Sequence, residues 1–192
     1  MELTTWFDRG ITYDQYVSSM QVNQEELLSL YKKISLSEEE KVHFGALHDR
    51  EWKVIVLTAD WCGDALLCVP VLKRIAEVAN LDLRFLIRDE NLELMDQYLT
   101  NGTSRAIPIF IFMDSQGNEI AVWGPRSPEV QARIQELRST LPAKEDPTFE
   151  EKQKAMYAKF RQEILLMPSV WQSVKNSILK QLTKVAQEKK HA

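Results

Sequence analysis

Cys62 is the residue of this 192-residue chain best placed for chemistry. It lies in the run Trp61-Cys62-Gly63-Asp64, between a short β-branched stretch and a helical pattern. At such a junction, free backbone N–H groups and the positive end of the helix dipole favour a thiolate over a thiol. A thiolate can attack a disulfide or an oxidised sulfur. The other use of the same residue is as a small buried apolar group, and position alone leaves both open. Asp64 bears on the choice. A helix start favours the thiolate by about 0.3–2 kcal/mol. A carboxylate at about 7 Å, at an effective dielectric near 20, opposes it by about 2 kcal/mol before screening. The two nearly cancel, which predicts a mildly activated Cys62; Asp64 is equally well explained as a favourable charge in a first helical turn.

The second cysteine, Cys68, is not a natural resolving partner. Six residues along a helix advance about 9 Å and turn about 600°, so the side chains point roughly 120° apart. A disulfide needs Cα atoms within about 7 Å. Cys68 also sits between Leu67 and Val69 and reads as core. His43, His48 and His191 share no metal-ligand spacing with the cysteines, so no metal site is expected. No phosphate-cradling glycine loop or nucleophile elbow occurs, and no cofactor is expected. Trp123 and Trp171 read as packing residues.

The elements that must position Cys62 follow from the periodicity. Residues 54–59 (VIVLTA) read as a buried strand, and Leu66, Val69, Leu72, Ile75, Ala76 and Ala79 as one face of the helix after it. Residues 81–87 read as a second, parallel strand, and a helix over 91–100 stops at Asn101-Gly102. Residues 107–114 and 118–124 flank Ser115-Gln116-Gly117 as an antiparallel hairpin. Pro128 to Leu141 follows as an amphipathic helix. Three helix-start pairs precede all this, Thr12 with Gln15, Asn23 with Glu26, and Ser37 with Glu40. Beyond Pro142 and Pro147, Phe160, Ile164 and Leu165 form one apolar face. Trp171, Val174, Ile178, Leu182 and Val185 form another, with Met167-Pro168 between the two. The division is thus 1–50, 51–141 and 142–192, the outer parts helical.

An apolar fraction of 44% and a charged fraction of 27% are those of a soluble globular protein. No apolar run approaches the roughly 20 residues that span a bilayer. The opening residues lack a basic start and an apolar stretch, which predicts no secretory leader. With two cysteines the chain fits a reducing compartment, and the cytoplasm is the expected location. Net charge is −4, yet residues 150–192 carry nine bases against four acids. These lysines alternate with apolar residues, which predicts a basic helix against an acidic body rather than a nucleic-acid or membrane surface.

The stretch from Trp61 to Pro70 resembles the active-site helix of thioredoxins, in which a proline follows the first cysteine by eight residues. Arg105-Ala106-Ile107-Pro108 resembles the family's cis-proline loop, and Asn118 to Gly124 its last hairpin strand. The resemblance spans residues 51–141. It implies an α/β thioredoxin fold, a four-stranded mixed sheet flanked by helices, extended by helices at both ends. Where the family has proline and a resolving cysteine, this chain has Asp64 and Ala65; where it has a buried aspartate, this chain has Val56. If cis, Pro108 would set the Ile107 backbone beside Cys62, ready to pair with an extended chain.

Two functions fit. In the first, Cys62 is a monothiol: it forms mixed disulfides with a protein or low-molecular-weight thiol or disulfide, and an external thiol releases them. Peroxide reduction through a sulfenic acid is a variant. The second is a redox-inert thioredoxin-fold module that binds a peptide or protein. Trp61, Gly63, Asp64, Ile107 and Pro108 support Cys62 in either case. The terminal helices are expected to cover the site or to form an interface, a homodimer among the forms it could take.

Overall fold

The central strand, β1 (Lys53–Thr58), carries Val54, Ile55, Val56 and Leu57, all fully buried. Continuous burial is what a strand covered on both faces requires. In the computed structural model, which describes residues 2–188, β1 pairs in parallel with β2 (Asp82–Ile87). It pairs antiparallel with β3 (Ile109–Met113), which pairs antiparallel with β4 (Glu119–Trp123). The order is β2-β1-β3-β4, the four-stranded mixed sheet that the resemblance implied. His191 lies outside the described residues.

Four helices precede the sheet: α1 (Leu3–Arg9), α2 (Tyr13–Ser19), α3 (Gln24–Lys33) and α4 (Glu38–Gly45). The reciprocal caps at Thr12/Gln15 and Ser37/Glu40 both form. The one expected at Asn23/Glu26 does not, and Asn23 takes a left-handed backbone with no cap bond. Between α1 and α2, Ile11 exchanges two backbone hydrogen bonds with Phe85 on the outer edge of β2. Tyr16 then stacks on the Phe85 ring at 4.9 Å. The N-terminal segment thereby covers a strand edge that would otherwise present unpaired backbone groups.

The helix α5 (Gly63–Ala79) joins β1 to β2, and α3, α4 and the last helix of the chain pack around it. Its start, Cys62, is held in extended backbone at the N-cap, and Asn80 ends it in the left-handed region. Pro70 lies inside it, buried, without the N–H that an internal position would donate. After β2 the helix is shorter than the sequence predicts. Only α6 (Leu92–Met95) forms, one turn, and the chain continues in tight turns to a bridge between Thr100 and Ser104. The physical reason is local. The Asn91 amide bonds the Ile87 carbonyl rather than capping the helix, and Asp96 and Tyr98 are drawn to Arg105 and Glu119.

The C-terminal part consists of α7 (Pro128–Ser139), α8 (Phe149–Leu166) and α9 (Pro168–Glu188), with the break at Met167. Val174, Ile178 and Leu182 of α9 are fully buried, packed over α5, α7 and β4. The Gln181 side-chain amide donates to the Val122 carbonyl, and the Trp123 indole donates to Ser177, so α9 covers the β4 edge. The two terminal extensions therefore close the two edges of one sheet. Among the described residues, no helix is long and apolar enough to cross a membrane.

Candidate functional site

Cys62 caps α5 with its own sulfur. The Ala65 N–H donates to Sγ at 3.4 Å, and Sγ–H donates to the Ile107 carbonyl at 3.3 Å. The second bond needs the proton, so the geometry is that of a thiol. The Ile107–Pro108 peptide is cis, and the loop lies against the start of α5. On its other side the loop is met by Gly124 at the end of β4: at φ 133° a Cβ there would fall 2.2 Å from the Pro108 carbonyl oxygen. The next peptide, Gly124–Pro125, is also cis, which nothing in the sequence pattern signalled.

Cys62 is buried, with 7% of its surface exposed. Burial is the first cause of a raised pKa and the Asp64 carboxylate the second. The Ala65 and Asp64 N–H groups and Arg126 oppose them, and the thiol is pushed up to about 11. The expected near-balance between helix start and Asp64 therefore gives way to desolvation, which the sequence did not expose. At pH 7 the sulfur is therefore held as the thiol. Cys68 is fully buried and its sulfur donates to the Pro125 carbonyl, so it is a core residue, and burial holds its pKa well up.

Asp64 turns from Cys62 toward Arg126. The guanidinium donates Nε–H to Oδ1 at 2.7 Å and Nη2–H to Oδ2 at 2.5 Å, and its Nη1 reaches Gln131. A bidentate pair of this kind fixes orientation as well as charge. Arg126 lies 62 positions beyond Asp64, and no linear spacing pointed to it. Gly63 has negative φ and no heavy atom within 4 Å of where a Cβ would stand, so its glycine is not needed for backbone or fit. Its small size leaves the surface above α5 open. Val56, in place of a buried acid, is fully buried.

Trp61, next to Cys62 in the chain, has half its surface exposed, and the Arg88 guanidinium sits 4.7 Å from its ring centroid. Arg88 also donates to the Arg105 carbonyl, and Arg105 is paired with Asp96, so Trp61 is tied to the proline loop. The Ile107 N–H has no hydrogen-bond partner among the described residues. The structure thus brings Trp61, Cys62, Gly63, Asp64, Ile107 and Pro108 together at one end of the sheet. Sequence reasoning missed Arg88, Arg126 and Asp60, the last of which adjoins the motif and binds the 21–23 loop. Among the described residues, no group of three His, Cys, Asp or Glu side chains could hold a metal ion.

A thioredoxin family model matches residues 10–138, so the match begins in the first helices rather than at the central strand. Solved structures agree in fold. A protein of unknown function from Pseudomonas aeruginosa superimposes with a TM-score of 0.63 at 15% identity, covering 86% of this chain and 95% of its own. An HIV epitope-scaffold gives 0.61 at 15% identity, covering 92% and 99%. No curated protein matches the sequence.

Proposed function

The chain belongs to the thioredoxin family, and we propose that it works as a binding module that holds an extended protein segment against the Ile107–Pro108 loop, with Cys62 a resting thiol. The observation that carries this reading is the Cys62 sulfur itself, buried and donating its proton to the Ile107 carbonyl. A nucleophile needs the opposite, an accessible sulfur stripped of its proton. With Ala65 in the resolving position, no second thiol of the motif could complete a dithiol cycle. What remains is recognition: the half-exposed indole of Trp61, and the Ile107 N–H of the neighbouring loop, which pairs with a strand once that loop opens to admit it.

Charge narrows the partner. On the loops around the site, Arg88, Arg105 and Arg126 are each paired with an aspartate: Asp89, Asp96 and Asp64. Asp60, Glu90 and Glu93 have no cation partner among the described residues. A segment with Lys or Arg beside an apolar residue is therefore favoured, through on-rate and specificity more than through affinity. Two free cysteines suit a reducing, cytoplasmic setting.

One observation favours the monothiol reading: Cys62 occupies the N-cap of α5, where its sulfur accepts the Ala65 N–H. The two readings part in one experiment. The pure protein is treated with oxidised glutathione at pH 7 and its intact mass is measured. Binding without exchange gives no adduct on the native chain and ready modification after unfolding. A reversible adduct confined to Cys62 in the native state overturns it in favour of exchange. Short extended peptides with basic, neutral or acidic flanks then test recognition by fluorescence anisotropy. The basic peptide binds best, and Trp61→Ala removes the binding; equal binding of all three removes the charge argument.

A further inference from the structure

Asn23 breaks a local rule in a way that points at the site. The run from Asn23 to Glu26 predicts a helix cap, yet the Asn23 backbone lies at φ 62°, ψ 6°, and its side chain makes no cap bond. Asparagine takes this left-handed conformation at little cost, so what sets Asn23 apart is where its amide goes. Both ends of the Asn23 amide are engaged elsewhere. Nδ2 donates to the Asp60 carbonyl at 2.7 Å, and Oδ1 accepts from Arg161 Nη2 at 2.7 Å. The same nitrogen of Arg161 reaches Glu26 at 2.8 Å. The two preceding residues close on the same target, the Gln21 and Val22 N–H groups donating to Asp60 Oδ2 at 2.7 and 3.3 Å.

Asp60 begins the turn that carries Trp61 and Cys62, closed by the Cys62 N–H on the Ala59 carbonyl. That turn lies between β1 and α5 and belongs to neither, so the contacts from residues 21–23 are what hold its outer side. Arg161 adds direction. A guanidinium can only donate, so it selects the amide orientation with oxygen toward α8 and the NH2 group toward Asp60. Arg161 lies 138 positions from Asn23, on a helix that the site otherwise does not use.

We propose that Asn23, oriented by Arg161, is a positioning residue for the site: it fixes the Asp60–Cys62 turn and with it the depth of Cys62 and the stance of Trp61. The C-terminal extension is in this way part of the site. The proposal rests on the binding reading only in taking this face as the working one.

The test uses Cys62 as its own probe. The full-length protein is alkylated with iodoacetamide at fixed pH under native conditions, and each cysteine is followed separately by peptide mass mapping. Asn23→Gly keeps the left-handed backbone and removes the amide; it raises the Cys62 rate about tenfold while Cys68 stays protected. Asn23→Asp keeps the acceptor for Arg161 but sets an oxygen against the Asp60 carbonyl, and it raises the rate at least as much. Arg161→Ala raises it about threefold, and Arg161→Lys, which can still donate, restores most of the protection. An unchanged Cys62 rate in both Asn23 variants, with only the melting temperature lowered, overturns the proposal and leaves Asn23 a structural residue of α3. A rise shared equally by Cys62 and Cys68 marks opening of the whole fold and overturns it too. Should an Asn23 variant fail to fold, Arg161→Ala decides alone, and an unchanged Cys62 rate there is the negative result. No partner is present in the assay, so its failure leaves the binding reading standing, and failure of peptide binding leaves this result standing.

Discussion

Two ion pairs sit in low-exposure surroundings at different places in this molecule, and they do different work. Glu40 and Lys175, with side chains 10% and 8% exposed, join α4 to α9 at 2.9 Å. Asp64 and Arg126, 12% and 17% exposed, join the start of α5 to the turn before α7. Glu40 is surrounded by donors: the Ser37 N–H, the Gln172 amide and the Lys175 ammonium, which also donates to the Ser35 carbonyl. It fastens the N-terminal extension to the C-terminal one. Asp64 has a single strong partner and a thiol two residues away, so its charge is felt by Cys62. The same chemistry is a fastener where donors from two helices converge on one carboxylate and an electrostatic setting where a titratable neighbour stands beside it.

The comparison breaks first at the fastener. Lys175→Met leaves Glu40 buried without its counter-charge and costs about 3–5 kcal/mol in chemical denaturation. The double variant Glu40→Gln, Lys175→Met keeps the reciprocal cap, since glutamine serves at that position, and recovers most of the loss. Equal losses in the single and double variants would show that packing of Lys175 on α9, not charge, is what counts.

Acid provides the next, smaller effect. Burial pushes the Glu40 carboxyl up, but Lys175, the Ser37 N–H and Gln172 outweigh it and hold it below the ordinary glutamate value. A depressed carboxyl contributes stability that is present above the unfolded value of about 4.3 and is lost as pH falls through the folded one. Arg161 lowers Glu26 and Arg133 lowers Glu163 in the same direction. Melting temperature therefore declines on acidification below about pH 4.5, and less steeply in the double variant at Glu40 and Lys175. An identical acid profile in the two proteins would remove Glu40 from the account.

The smallest effect sharpens the site. Asp64→Asn removes the negative neighbour of Cys62 and leaves the Arg126 charge, so the midpoint of Cys62 alkylation against pH falls by about one unit from about 11. It stays above the value of a free thiol, because burial is the larger cause. A midpoint that does not move would mean that Arg126 already cancels Asp64 at the sulfur.

How far the sequence could be read shows in particular residues. The strands were legible because β1 and β3 are continuous apolar runs with clear turn residues around them, and the caps at Thr12 and Ser37 because their partners lie three residues away. The helix after β2 was overread, since side chains drawn to Arg105 and Glu119 end it early. Asn23 was misread for a similar reason: its amide answers Asp60 and Arg161 instead of its own helix.

Local pattern by itself determined the order of elements, because periodicity and turn residues depend on neighbours within a few positions; the motif at Cys62, with Ala65 where the family has a second cysteine, was legible through its resemblance to thioredoxins. The burial of Cys62, the Asp64–Arg126 pair and the closing of both sheet edges by the terminal helices were decided only by tertiary structure. Desolvation and charge pairing depend on what the folded chain brings within a few ångströms, and residues 62 or 138 positions apart carry no mark of that meeting in their order.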